Sequence, residues 1–109
     1  MANTFKLKTK ANVGVTTVGI YTAPAATTTV VIDITLSNTS GSGVNVGVGI
    51  TRAGTTEDVK LLKNAPIPQG SSLEFMGGNK VVLETTDTLT VDSDTNNSVD
   101  AALTIMEIT

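Results

Sequence analysis

The chain reads as a succession of short segments in which apolar and polar residues alternate, broken by Gly, Asn, Asp and Pro. Alternation with a period of two puts every second side chain on one face of an extended strand, and the turn residues between segments mark where the chain reverses. Residues 4–10, 15–21, 28–38, 44–52, 58–63, 71–76, 80–84, 88–91 and 99–108 carry the pattern. In 28–38, Val30, Ile32, Ile34 and Leu36 fall on one face and Val31, Asp33, Thr35 and Ser37 on the other. A slip of one residue would turn all four aliphatics outward, so the alternation specifies the register. Thr39-Ser40-Gly41-Ser42-Gly43 then predicts a hairpin into 44–52, where Val44, Val46, Val48 and Ile50 align.

The other face of 44–52 carries Asn45, Gly47 and Gly49 and is nearly bare of side chain. Such a face is either a contact surface for a neighbouring subunit or ligand, or the mark of a bend or bulge. Pro66, Pro68 and Gly70 preclude a central strand and predict an extended corner between sheets. The loop Asp92-Ser93-Asp94-Thr95-Asn96-Asn97 is expected to close the last hairpin, with Ala101, Leu103 and Ile105 on one face of the final strand and Ala102, Thr104 and Met106 on the other. No segment shows apolar spacing of three and four over ten residues. The expected fold is all-β: a single antiparallel β-sandwich domain over residues 1–109, of jelly-roll or Greek-key type, with eight to nine strands and negligible helix.

Length changes that picture little, since 109 residues suit one domain with one core and no need of a disulfide or metal staple. The chain has no cysteine, so redox compartment is left open. A charged start followed by an apolar stretch is missing, as is any apolar run long enough to span a bilayer, which points to a soluble protein made in the cytosol with no membrane partner.

Charge and chemistry exclude more. Seven basic against ten acidic residues give a net charge of −3, and the aromatic supply is Phe5, Tyr21 and Phe75, so neither phosphate neutralisation nor base stacking is provided for; no nucleic-acid partner is expected. The clustered bases are Lys6, Lys8 and Lys10, on one face of the first strand. That stripe reads either as the solvated face of an N-terminal strand or arm, where lysines also discourage sheet-to-sheet aggregation, or as a contact for an acidic partner surface. Without His or Cys the chain lacks the commonest general base, the usual transition-metal ligand and the thiolate nucleophile, and its carboxylates are scattered. No catalytic, cofactor-binding or metal residues are assigned, and the chain is read as no enzyme. Asp92, Asp94 and Asn96 have the one-three-five spacing of a calcium loop, with Asp100 further on, yet Asn97 stands where that loop needs glycine and Leu103 where it needs glutamate; a turn is expected there instead. The sequons at Asn38 and Asn96 carry no weight without secretion.

Several segments bear a resemblance. They are the opening Met1-Ala2-Asn3-Thr4-Phe5-Lys6, the stretch from Thr28 through Ser42, the corner Ala65-Pro66-Ile67-Pro68-Gln69-Gly70-Ser71-Ser72-Leu73, the pair 80–84 and 87–91, and the ending Ile105-Met106-Glu107-Ile108. Together they resemble the small all-β virion proteins of tailed bacteriophages, especially those of marine and cyanobacterial phages. The resemblance implies a structural virion component, first a capsid decoration (cement) protein bridging capsid subunits, and alternatively a tail, neck or fibre-attachment protein or a host-receptor (glycan) binding module. It implies a location in the virion, major capsid protein or other virion proteins as partners, and a homo-oligomer, a trimer first. Lys6, Lys8, Lys10, Gly47 and Gly49 are the candidate contacts.

Overall fold

The computed structural model describes residues 3–52, 57–74 and 80–109. The expected turns at 53–56 and 77–79, and the end of the 71–76 strand with Phe75, lie outside the described residues. Nine strands follow one another: β1 (Asn3–Val13), β2 (Val18–Thr22), β3 (Thr28–Asn38), β4 (Val44–Arg52), β5 (Glu57–Ile67), β6 (Ser72–Glu74), β7 (Val81–Leu83), β8 (Thr88–Ser93) and β9 (Val99–Ile108). No helix occurs among the described residues. The strands form two antiparallel sheets. In the first the order is β1-β9-β3-β6, with β7 pairing further along the same β3; in the second it is β2-β8-β4-β5. The sheets enclose one core, in which Ile34, Leu36, Ile67, Leu83, Leu89, Leu103 and Ile105 are the largest fully buried side chains among the described residues.

Two expected hairpins are corrected. β3 belongs to the first sheet and β4 to the second, so the 39–43 connection crosses the sandwich; the 92–97 loop likewise carries the chain from β8 in the second sheet to β9 in the first. Alternation reveals which residues share a face but not which strand lies alongside, and a five-residue loop suits either a hairpin or a crossing of the roughly 10 Å between packed sheets. Side chains hold both crossings. Asn38 is buried where β3 ends; its amide donates to the carbonyls of Ser42 and of Ile67 in the opposite sheet, at 2.8 and 2.9 Å, while its oxygen accepts from the backbone N–H and hydroxyl of Ser40. At the second crossing the buried Ser93 hydroxyl donates to that of Ser98 at 2.7 Å, which in turn donates to the Thr95 carbonyl.

The face assignment within β3 is also corrected. Val31 pairs with Ile105 and Asp33 with Thr104, so Ile32 is an extra residue on the β3 side. A bulge of one residue reverses the parity of everything before it. Thr29 and Val31 therefore join Ile34, Leu36 and Asn38 on the buried side, and Val30 and Ile32 are only half-buried. Strand β5 runs on to Ile67, past the expected end at Lys63, by absorbing two bulges; Asn64, at φ 54, sits in one of them. Pro66 is tolerated because β5 lies at the edge of its sheet.

Candidate interaction surface

Strand β1 forms one edge of the first sheet, and its register decides what it offers. Lys6, Lys8 and Lys10 pair with Ile105, Leu103 and Ala101, so the lysine stripe lies on the inner side of the sheet, at the open rim of the sandwich. Long alkyl stems let such lysines cover apolar surface while their ammonium groups reach water, and inward-pointing charge on an edge strand opposes the addition of a further strand. Lys6 and Lys10 are exposed and Lys8 is half-buried.

Lys6 also enters a network that ties both sheets together. Its ammonium lies 2.8 Å from Glu107 Oε1. The hydroxyl of Tyr21, on β2, donates to Glu107 Oε2 at 2.6 Å and accepts from the Thr29 hydroxyl at 2.7 Å. The hydrogen bond from Lys6, followed by that from Tyr21, holds the Glu107 carboxyl below the ordinary glutamate range against its burial. Burial, reinforced by the hydrogen bond to the Glu107 carboxylate, pushes the Tyr21 phenol up to about 12. The folded chain therefore keeps the Tyr21 proton more tightly than the unfolded chain, whose phenol titrates near its ordinary value of about 10. The corresponding stability is fully present below about pH 10 and is lost as pH rises through the folded value. We expect the urea midpoint of the wild-type protein to fall between about pH 10 and 12, and Tyr21→Phe to remove that part of the decline while costing roughly 1–2 kcal/mol at neutral pH. An equally steep alkaline decline in the variant would refute this assignment.

Gly47 and Gly49 are buried within the chain's own structure. A Cβ at Gly47 would lie 2.7 Å from Asp92 Oδ1, and one at Gly49 would lie 2.8 Å from the Val59 carbonyl. The two β5 bulges fall opposite this part of β4 and bring the β5 backbone over it. These contacts fit the bulge reading of the bare face.

The acidic loop disperses its oxygens. Asp92 accepts from the Thr17 hydroxyl and faces Lys60 at 3.8 Å, Asp94 accepts from the Asn45 N–H, Asn96 from the Val15 N–H, and Asp100 from the Asn12 N–H. Among the described residues, no three His, Cys, Asp or Glu side chains stand close enough together to hold a metal ion. Buried Asp87 accepts the Glu84 N–H at 3.0 Å and faces Arg52 at 3.1 Å; Arg52 also pairs with Glu84. Asp87 is the main reason the guanidinium is held above its ordinary range.

The outer side of the first sheet is different in kind. Phe5, Met106, Val30 and Val82 are successive register partners, forming one row across four strands. Phe5 is 69% exposed, Val82 55% and Leu7, two residues along β1, 66%. The alternation of Phe5 and Leu7 with lysines carries this signal, but a charged stripe is ordinarily the wet face, so alternation alone does not show that the apolar positions face outward. A shallow cavity of about 240 Å³ lies further along the same face, lined by small side chains including Thr9, Ala11, Thr35 and Ala102.

No protein-family model matches the sequence, and no curated protein matches it either. Among solved structures, the chain is similar to one from work on Bacillus endospore appendages, described as a novel family of disulfide-linked pili: 16% identity, a TM-score of 0.57, and coverage of 99% of this chain and 87% of that one. That likeness places the chain among sandwiches of the same fold. A pentameric capsid protein from metagenomic phage sequences is similar at 18% identity over 94% of this chain and 59% of its own, with a TM-score of 0.43, an overlap too loose to carry a conclusion. No helix among the described residues is long and apolar enough to cross a membrane.

Proposed function

We propose that this chain is a non-enzymatic structural protein of a phage virion, and that its station is capsid decoration, cementing neighbouring capsid subunits. The observation that supports the reading most is the distribution of unspent surface. Buried polar side chains are engaged in holding the sandwich together, as in the Tyr21–Glu107–Lys6, Asn38 and Asp87–Arg52 networks, while a wide sheet face exposes an apolar row. Contiguous exposed apolar patches mark protein–protein interaction or ligand-binding surfaces. A fold alone assigns no role, and the likeness to the appendage protein supplies none. With no cysteine in its 109 residues, this chain has no disulfide through which to assemble, and its contacts would rest on surface complementarity. Read as a jelly roll, with β6 and β7 as two parts of one strand along β3, each sheet becomes four strands wide and offers a broad face for such contacts.

Binding of the folded form alone would add stability to both the chain and the shell it joins. The test is the copy number relative to major capsid protein in purified particles, by quantitative mass spectrometry. One copy per one to a few capsid subunits is the expected result. A ratio some tens of times lower would move the protein to the tail or neck, and absence from particles would overturn the virion reading.

A further inference from the structure

The geometry points to the outer face of the β1-β9-β3-β6/β7 sheet as a self-association surface, on which a second copy of this chain packs face to face about a two-fold axis parallel to the strands. Such pairing is a property of the isolated chain, beyond its station in a particle.

The face is large enough. Three strands of about ten residues rising ~3.3 Å each, with β6 and β7 adding six residues beside them, all spaced at ~4.8 Å, give a face of roughly 550–600 Å². Specific interfaces bury about 600–1,000 Å² per partner, so one such face against another, with its rim, reaches the lower part of that range. Phe5, Leu7 and Val82 alone leave on the order of 300 Å² of apolar side chain in water.

The face is also complementary to itself, which selects this chain as the occupant. A two-fold axis along the strands lays β1 over the partner's β6/β7 strip and β9 over the partner's β3. Each residue then faces the copy of a residue in its own cross-strand row. In the apolar row Phe5 meets Val82 and Met106 meets Val30, large against small, as interdigitating sheets about 10 Å apart require. The acidic residues that the strands present on this face are Asp33, Glu74 and Asp100. The same operation sets Asp33 against Thr104, Glu74 against Thr9 and Asp100 against Ser37, so each carboxylate meets a hydroxyl residue and none meets another acid. The pairing is two-fold, where the resemblance favours a trimer.

Sedimentation of the purified chain tests this. A dimer is expected at about 100 µM, with Phe5→Lys and Val82→Asp each weakening association about tenfold or more. Both side chains are largely exposed, so circular dichroism and the melting of the dilute variants should match the wild type. Mixing the two variants should restore dimers, because the introduced ammonium of one then faces the introduced carboxylate of the other. A wild-type chain that stays monomeric, a dimer indifferent to either substitution, or a mixture that does not recover each overturns the proposal. Capture by capsid protein through Phe5 without self-association would assign the face to a foreign partner and overturn it equally.

Discussion

Asn38→Asp is expected to cost about 3–5 kcal/mol at neutral pH, far more than the exchange of an NH2 for an oxygen suggests. Asn38 is 5% exposed, and its amide is the shared donor for the Ser42 and Ile67 carbonyls. The substituted side chain keeps the oxygen that Ser40 addresses but turns a second, charged oxygen towards two carbonyls. Each buried acceptor left without a donor costs about 1–3 kcal/mol, and a buried charge without a partner adds to that. Asn38→Ala removes the donor without introducing charge and should cost about 2 kcal/mol. Acid separates the mechanisms. Protonation gives the introduced carboxyl a donor again, and its surroundings favour the neutral form, so the Asn38→Asp variant should regain stability as pH falls towards about 5. The wild type should instead hold its stability across that range, because Glu107, whose folded-state value lies below its ordinary one, takes up a proton only further into acid. Urea unfolding of the three proteins at about pH 7 and pH 5 measures both effects; equal losses for the Asp and Ala substitutions at neutral pH would sink the argument.

Asn38 also marks how far the sequence could be read. Strand positions were legible because alternation is a local consequence of the pleat, and the inward sets Val44, Val46, Val48, Ile50 and Ala101, Leu103, Ile105 are the buried ones. Sheet membership was not legible. A strand followed by Thr39-Ser40-Gly41-Ser42-Gly43 has the local chemistry of a hairpin, and the decisive contact, the Asn38 amide on Ile67, spans 29 positions of sequence. The bulge at Ile32 escaped for a related reason. Val30, Val31, Ile32 and Ile34 are all aliphatic, so the pattern reads smoothly in either phase, and only pairing with β9 shows where the extra residue sits. At the candidate surface the spacing of Lys6, Lys8 and Lys10 correctly places them on one side of β1. Which side is inward depends on the mate, and β9 sets it through Leu103 and Ile105.

That dependence on β9 makes Leu103→Ala the second large effect. β9 is the strand that both β1 and β3 pair with, and Leu103 is fully buried, opposite Lys8 on one neighbour and Ile34 on the other. Removing its branched end loses the transfer free energy of the atoms and leaves a cavity between sheets whose backbones are held by ladders on both sides, so little collapse is available. A loss of about 3–4 kcal/mol is expected, and with roughly 4 °C or more per kcal/mol for a domain of this size the melting temperature should fall by about 15 °C. Met106→Ala, three residues along the same strand but half-buried on the outer face, makes the contrast. It should cost the dilute chain less than about 1.5 kcal/mol and act on self-association instead. Calorimetry at low concentration and sedimentation at high concentration read the two variants. If Leu103→Ala left melting within a few degrees of wild type, the buried side of β9 would not be the core that its register describes; if Met106→Ala destabilised the dilute chain as much, the outer face would be core rather than contact surface.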